Sequence, residues 1–275
     1  MICRLCWTPF TITMNHHDLE LIHPDWPAPA SVKAAVTTRK GGGSEEPYAS
    51  FNLATHVGEE ELSVVMNREL LKGALGLSAD PAWLQQNHSN IVVDASVYSM
   101  DRDGEADASF STEKGKACVV LTADCLPVLL CNKQGTWVMA VHAGWQGFAK
   151  RIIEAAIAAY PGDKNDLMAW LGPAIGPQAF EVQSDVVEAC TADLTSAQKK
   201  IFTKKCFKPV EGKDGYFFGD LYELGRQRLH KCGVQAVYGG GFCTYTDAER
   251  FYSHRRDGAG GEKATGRMAS LIWLV

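Results

Sequence analysis

Three side chains that commonly bind transition metals stand beside short apolar segments of the chain: His88, Cys125 and His142. Two imidazoles and one thiolate can hold a tetrahedral zinc ion and leave its fourth position open for a reactant, as catalytic zinc sites do. The three residues are far apart in the sequence, unlike zinc-finger ligands, so separate strand ends would have to bring them together. This spacing has low specificity, because a buried cysteine and two loop histidines would produce the same pattern.

A carboxylate precedes the cysteine of this group. Residues 121–130 form an apolar strand pair that is interrupted by three polar residues, Thr122, Asp124 and Cys125. Neighbouring side chains of a regular strand point to opposite faces. Asp124 therefore reaches the site of Cys125 only if the chain turns or bulges there, or if it acts through residues around the site. Pro127 predicts a break in the strand ladder.

The second histidine, His142, ends an apolar strand. The small residues Ala143, Gly144 and Gly147 permit a tight turn from that strand into a helix. Side chains at the carboxyl ends of strands face the usual ligand crevice of α/β sheets, and the N-terminus of the next helix favours an anion. A surface histidine at the boundary of an element is the alternative interpretation.

Two basic segments are candidates for binding an anion. In residues 37–44, Arg39 stands before three glycines, whose N–H groups could converge on a phosphate that Arg39 holds through its forked guanidinium. The spacing is not that of a P-loop. Near the C-terminus, Arg255, Arg256 and Arg267 form a second basic group. A surface loop or a solvated charge cluster would explain either segment equally well.

The elements that must position these residues alternate only partly between strands and helices. Short apolar runs predict strands at residues 19–23, 32–37, 117–122, 128–131, 136–141, 167–171, 234–238 and 269–275. Helical patterning predicts helices at residues 59–75, 148–160, 182–190 and 221–232. Consecutive strands favour a mixed β-sheet, so we predict one layered α/β domain over residues 18–275. Residues 1–17 are predicted to be a flexible N-terminal extension.

Composition excludes several classes of protein. Hydrophobic residues make up 46% of the 275 residues and charged residues 21%, which is ordinary for a globular protein. The net charge of −5, from 27 Lys and Arg against 32 Asp and Glu, disfavours general binding to nucleic acid. No apolar run approaches the roughly 20 residues that a membrane helix needs. Nine irregularly spaced cysteines are not a disulfide scaffold and favour a cytoplasmic location; Cys3 and Cys6 form an isolated pair in the extension.

Several motifs together resemble the YfiH family, which is also called the laccase-domain or polyphenol-oxidase-type purine nucleoside phosphorylase family. The most specific are Ala-Asp-Cys-x-Pro at residues 123–127 and His-Ala-Gly-Trp-x-Gly at residues 142–147. Further matching segments are residues 38–44, 51–53, 86–88, 172–176, 181–182, 253–256 and 265–267. The resemblance extends from about residue 32 to the C-terminus.

This resemblance implies a single α/β/α sandwich around a mixed sheet and a zinc ion held by His88, Cys125 and His142. It implies a cytosolic enzyme that cleaves adenosine, inosine and methylthioadenosine with phosphate and also deaminates adenosine. Small nucleosides and phosphate would be its partners, and no protein partner is implied. Three of the matching residues are expected to be catalytic: Asp124, Cys125 and His142.

The matching segments also imply which residues bind substrate or phosphate: Arg39, Asn52, Arg255 and Arg256. The chain departs from the family pattern at two positions. Ser89 stands where the family commonly has glycine, and Gln146 stands where it commonly has arginine. The second departure removes a cation close to the turn that follows His142.

Three other functions are compatible with the same residues. Older descriptions of the family suggest a copper-dependent polyphenol oxidase, but a chain with 8 histidines and no His-x-His pair is short of ligands for a multi-copper cluster. A metal-free cysteine hydrolase would use Cys125 as nucleophile and His142 as base. A zinc-binding module without catalytic activity is the third.

Overall fold

The computed structural model describes residues 19–258 and 264–275, which form three β-sheets with helices packed around them. The predicted extension at residues 1–17, with Cys3 and Cys6, lies outside the described residues. The mixed α/β class predicted from the sequence is confirmed.

Thirteen strands and eight α-helices make up this part of the chain. The strands are β1 (Leu21–Ile22), β2 (Val32–Thr37), β3 (Val92–Asp94), β4 (Ala108–Ser111), β5 (Cys118–Thr122), β6 (Leu126–Asn132), β7 (Val138–Ala143), β8 (Leu167–Leu171), β9 (Glu181–Gln183), β10 (Phe207–Pro209), β11 (Tyr216–Gly219), β12 (Ala236–Gly239) and β13 (Met268–Leu274). The helices are α1 (Glu61–Leu75), α2 (Met100–Asp103), α3 (Trp145–Ala149), α4 (Ile152–Ala159), α5 (Ser184–Thr191), α6 (Ser196–Cys206), α7 (Leu221–Lys231) and α8 (His254–Asp257).

The strands form a central sheet, an outer sheet and a small sheet. The central sheet has the order β12-β8-β6-β7-β4-β3 and is mixed, because its two end pairs are parallel and its inner pairs antiparallel. The outer sheet, β1-β2-β13-β5, is antiparallel throughout. The small sheet, β10-β11-β9, is also antiparallel.

The structure has four layers (helices, central sheet, outer sheet and helix α1), whereas the expected α/β/α sandwich has three. The difference arises because the two larger sheets stack face to face between helices. One face of the central sheet packs against α4, α5 and α7. Its other face packs against the outer sheet, where Val120 of β5 contributes to the shared core. The preceding residue, Val119, points the opposite way and packs beneath α1. The alternation of side chains along a strand therefore supplies both interfaces of the outer sheet.

Three details of the predicted elements are wrong. The helix predicted at residues 148–160 is divided into α3 and α4 by Arg151, which has a left-handed φ of 68°. The helix predicted at residues 182–190 begins only after strand β9. Pro127 does not break the ladder but lies inside β6 opposite His142, at the second residue of the strand, where a missing N–H is tolerated.

No helix in the described part of the chain is both long enough and apolar enough to cross a lipid bilayer.

Candidate metal centre

The fold brings His88, Cys125 and His142 together at one point. Their ligand atoms all lie within 4.8 Å of one another, and the Cys125 Sγ is 3.5 Å from the His88 Nε2. Nitrogen at about 2.1 Å and sulfur at about 2.3 Å from a tetrahedral zinc ion are themselves about 3.5 Å apart. The donor set and its spacing therefore fit a zinc ion with an open fourth position.

Two turns and one strand end deliver these ligands. His142 is in β7, Cys125 follows the turn between β5 and β6, and His88 precedes β3. Each turn contains a non-glycine residue in the left-handed region, with φ of 60° at His88 and 92° at Asp124. Such conformations cost energy and are concentrated at functional sites. The turn at Asp124 answers the geometric question raised by the sequence, because it lets Asp124 and Cys125 both reach the site.

A buried carboxylate that the sequence analysis did not identify, Asp107, holds two of the ligands. Its Oδ1 accepts hydrogen bonds from the His142 Nδ1 at 2.7 Å and from the His88 backbone N–H at 3.0 Å. Its Oδ2 accepts from the Ser89 hydroxyl at 2.6 Å. The bond to Nδ1 fixes the imidazole so that Nε2 faces the cluster, as carboxylates behind metal-binding histidines do. Ser89, one of the departures from the family pattern, thus supports this carboxylate.

The three ionisable groups of the centre shift one another's pKa. Burial disfavours the Asp107 carboxylate, but hydrogen bonds from His142 and Ser89 outweigh it and lower its pKa to about 2. Burial likewise opposes the Cys125 thiolate, yet the charge and hydrogen bond of His142 and the bond to His88 lower its pKa to about 6. Against burial, the Cys125 thiolate and Asp107 raise the pKa of His142 to about 9.

These shifts describe a thiolate ready for a metal or for nucleophilic attack. A thiolate is the form of cysteine that binds metals and the form that attacks substrates, so the pair Cys125–His142 is compatible with both. The position of His88 favours the metal, because its Nε2 lies beside the Cys125 sulfur and adds a third ligand atom to the cluster.

We predict that Asp107→Asn weakens zinc binding about ten- to a hundredfold, the usual cost of losing a residue that orients a metal-binding histidine. The amide keeps one acceptor oxygen, so it can serve either His142 and His88 or Ser89 but not both, and the negative charge behind the His142 ring is lost. Competition with a chromophoric chelator measures the affinity. Asp94→Asn is a matched control, because the Asp94 carboxylate also accepts from a serine N–H and hydroxyl, those of Ser96. Equal zinc affinity in the Asp107 variant and the wild type would contradict the assigned role.

Two cavities meet at the cluster and share His88, Ala123, Cys125 and His254 as lining residues. We name them the Arg267 cavity and the Trp145 cavity. The Arg267 cavity, of about 340 Å³, is otherwise lined by His56, Gln86, Leu121, Thr122, His142 and Arg267. The Trp145 cavity, of about 260 Å³, is otherwise lined by Asp124, Trp145, Gln146, Ile175, Phe180 and Arg255.

Asp124 and Arg255 lie together in the Trp145 cavity. The Asp124 Oδ2 accepts a hydrogen bond from the Arg255 backbone N–H at 2.6 Å, and its Oδ1 accepts from the Thr244 hydroxyl at 2.6 Å. The Arg255 guanidinium donates to the carbonyl oxygen of Glu181 and lies over the ring of Phe180. Both oxygens of Asp124 are thus used to hold the turn next to Cys125 and the start of α8.

Arg39 lines neither cavity. Its guanidinium donates to the carbonyl oxygens of Ala49 and Ala248 and lies over the ring of Tyr252. The neighbouring glycine N–H groups do not converge on an empty space, because that of Gly43 donates to the Asn67 side chain. The structure therefore uses this segment to tie loops together, and it does not bring Arg39 to the cluster.

Arg256 and Asn52 also lie outside both cavities. The Arg256 guanidinium is bonded to Asp257 and to the carbonyl oxygens of Thr244 and Phe251. Asn52 is fully buried, and its Oδ1 accepts a hydrogen bond from the Arg267 backbone N–H at 2.9 Å. Asn52 thus holds the backbone of Arg267, which lines the Arg267 cavity as Arg255 lines the Trp145 cavity.

The chain is similar over nearly its whole length to known proteins. A family model described as multi-copper polyphenol oxidoreductase laccase matches residues 33–275. A purine nucleoside phosphorylase of Pseudomonas aeruginosa is 47% identical over 251 residues, which cover 91% of this chain and 97% of that protein. The purine nucleoside phosphorylase YfiH of Escherichia coli is 44% identical over 258 residues, 93% of this chain and 99% of that protein.

Solved structures show the same fold. The Neisseria meningitidis protein NMB0706 superposes with a TM-score of 0.83 at 44% identity, covering 92% of this chain and 98% of that one. YlmD from Geobacillus stearothermophilus superposes with a TM-score of 0.77 at 28% identity, covering 90% and 93%.

Fold and site together define a mixed α/β protein with a candidate His–Cys–His metal centre between two cavities. The chain belongs to the laccase-like family of YfiH, as its motifs indicated. Curated relatives carry the name purine nucleoside phosphorylase, which supports an enzyme.

Proposed function

We propose that this chain is a zinc-dependent purine nucleoside phosphorylase that acts on adenosine, inosine and methylthioadenosine, and that it also deaminates adenosine. The observation that carries the proposal is the meeting of two cavities at one His–Cys–His cluster, since phosphorolysis must bring a nucleoside and a phosphate to the same point. The names of the curated relatives support the same activity. The cysteines between residues 118 and 243 are free, which suits the reducing cytoplasm in which these small substrates occur.

Each part of the centre has a defined task in this proposal. His88, Cys125 and His142 would hold the zinc ion, which supplies a Lewis acid that polarises an oxygen ligand. Asp107 orients the His142 ring and fixes the turn of His88. In phosphorolysis a phosphate oxygen bonds to C1′ of the ribose while the glycosidic bond breaks and its electrons leave with the purine. Holding the two reactants in line is therefore the main contribution of the protein.

Asp124 acts in this proposal by holding structure. Both of its oxygens accept hydrogen bonds from the protein, so it stabilises the turn of Cys125 and the backbone of Arg255. The Trp145 cavity, with the rings of Trp145 and Phe180, offers apolar surfaces suited to a purine. Deamination is a separate step, in which water adds to C6 of the adenine and ammonia leaves, so it requires the adenine to be bound with C6 instead of the ribose C1′ towards the cluster.

Copper oxidation is less compatible with the centre. Within residues 19–258 and 264–275, one group of His, Cys or acidic side chains is close enough to share an ion, and it has three members. Such a group accommodates one metal ion, whereas a multi-copper centre needs ligands for several. Metal analysis of protein purified without added copper distinguishes the two activities.

The test is incubation of the purified protein with adenosine, inosine and methylthioadenosine, with and without phosphate, followed by product identification by mass spectrometry. We expect free base and a ribose phosphate only when phosphate is present, and inosine from adenosine without it. Cys125→Ala, purified identically, controls for contaminating enzymes. The phosphorylase proposal fails if no free base forms with phosphate, and the deaminase proposal fails if adenosine without phosphate yields no inosine.

A further inference from the structure

The two cavities differ in charge. The Trp145 cavity contains the Asp124 carboxylate, and the neutral Gln146 stands where the family commonly has arginine. Its one cation, Arg255, already donates to the Glu181 carbonyl oxygen. The described residues that line the Arg267 cavity include no Asp or Glu, and they include the guanidinium of Arg267. An oxyanion is therefore attracted more strongly to the Arg267 cavity, because in the other cavity the Asp124 carboxylate offsets the charge of Arg255.

Arg267 has hydrogen-bonding capacity left for a ligand. Its Nη1 donates to the carbonyl oxygens of Thr265 and Gly266, at 2.8 and 3.1 Å. Its Nε and Nη2 donate to no acceptor among the residues that the structure describes, and no carboxylate there pairs with it. The guanidinium groups of Arg39 and Arg256, by contrast, donate hydrogen bonds to backbone carbonyl oxygens or to Asp257.

Burial lowers the pKa of Arg267, while the charges of Cys125 and Asp124 oppose that shift. A half-buried guanidinium without a paired anion is costly in the free protein, and an anionic ligand would offset that cost. The side chain is held in place from behind, because the backbone N–H of Arg267 donates to the buried Asn52.

A histidine on the rim of the same cavity adds a donor. His56 lies in a short 3₁₀ helix at Thr55–Val57, next to the loop that Asn52 organises through its bonds to Ala54. Partial burial and the charges of Arg267 and Arg68 lower the pKa of His56. Two guanidinium groups thus act on one point of this cavity, which is the electrostatic environment that an oxyanion needs.

We infer that Arg267 and His56 form the subsite for the attacking phosphate, in the Arg267 cavity beside the metal centre. The inference rests on the proposed phosphorolysis and replaces Arg39 and Arg256 as phosphate ligands. Arg267 holds the phosphate through Nε and Nη2, a forked pair of donors suited to an oxyanion. The nucleoside is then left to the Trp145 cavity, so the two reactants approach the cluster from different cavities.

The test measures binding of inorganic phosphate to the metal-loaded protein by isothermal titration calorimetry, together with the KM values for phosphate and for nucleoside. We expect Arg267→Gln to weaken phosphate binding and raise its KM about ten- to a hundredfold, the cost of a charged hydrogen bond. The KM for nucleoside should change less than the KM for phosphate. Arg226→Gln is the matched control, because the Arg226 guanidinium also donates to two carbonyl oxygens, those of Val237 and Gly239, away from the cavity.

A second variant keeps the test decisive if Arg267→Gln does not fold. His56→Gln, on the exposed rim, should weaken phosphate binding about two- to tenfold, as the loss of an ordinary hydrogen bond does. Unchanged phosphate binding in the folded variants, or no phosphate binding by the wild type, overturns the subsite. Phosphate binding that depends on Arg267 in a protein that cleaves no nucleoside would leave the subsite standing and show that the proposed function is wrong.

Discussion

Replacing Cys125 by alanine should remove the zinc ion and abolish both phosphorolysis and deamination while the fold survives. The thiolate is the only anionic ligand of the proposed set, and two neutral imidazoles cannot replace its charge. The fold does not depend on the metal, because a domain of this length buries extensive cores on both faces of its central sheet. Losing one partly exposed side chain should cost about 1 kcal/mol of stability.

Two measurements on Cys125→Ala separate the metal centre from a cysteine nucleophile, since both interpretations require loss of activity. Zinc content is measured by mass spectrometry, and thermal melts compare the two proteins in metal-free buffer, because bound zinc would itself stabilise the wild type. The zinc assignment requires about one equivalent in the wild type and none in the variant. A folded variant that retains one equivalent would exclude Cys125 as a ligand. A wild type that is fully active in chelator would favour the cysteine hydrolase.

Replacing Gly144 by alanine should also remove zinc and most of the activity, although Gly144 has no side chain that could bind a metal or substrate. A Cβ atom at this position would lie 2.6 Å from the Cδ2 of His88 and 2.7 Å from the Sγ of Cys125, closer than atoms can approach. The backbone itself accepts alanine, since Gly144 has φ of −76° at the start of α3. The clash must therefore displace the two ligands, and a displacement of about 1 Å is sufficient for roughly a hundredfold loss of activity.

The Gly144 variant is tested by zinc stoichiometry and by kcat/KM for phosphorolysis. Gly43→Ala is the control, because no heavy atom lies within 4 Å of a Cβ built there. We expect Gly144→Ala to lose zinc and activity, and Gly43→Ala to keep both. If Gly144→Ala binds zinc as tightly as the wild type, the ligands do not occupy the positions described here.

Local sequence patterns predicted those strands and helices whose bounds are set by their own residues. The apolar run of β8 is bounded in the structure at the residues predicted, 167–171. Arg151, which divides α3 from α4 with its left-handed φ, carries no glycine or proline signal that would have predicted the break. The stacking of two sheets depends on pairing between distant strands, such as β13 with β2 and β5, which residue patterns do not specify.

The sequence predicted the three candidate ligands but not the carboxylate that orients them, because only the ligands have a local pattern. The three ligands stand at ends of apolar segments, a pattern that the sequence displays. Asp107 gave a weaker signal, a single carboxylate between Ala106 and Ala108, and its partners lie 18 to 35 residues away. The glycines after Arg39 suggested an anion site, but contacts with distant loops use those groups instead.

The central claim is that one zinc ion at His88, Cys125 and His142 supports phosphorolysis. Its most direct test is to remove the metal with a chelator, add zinc back in steps, and measure the rate of phosphate-dependent release of free base from inosine. The account predicts no release without metal, and a rate that rises linearly and stops rising at about one equivalent of zinc per chain. A full rate without zinc, or no rate at saturating zinc, would contradict it.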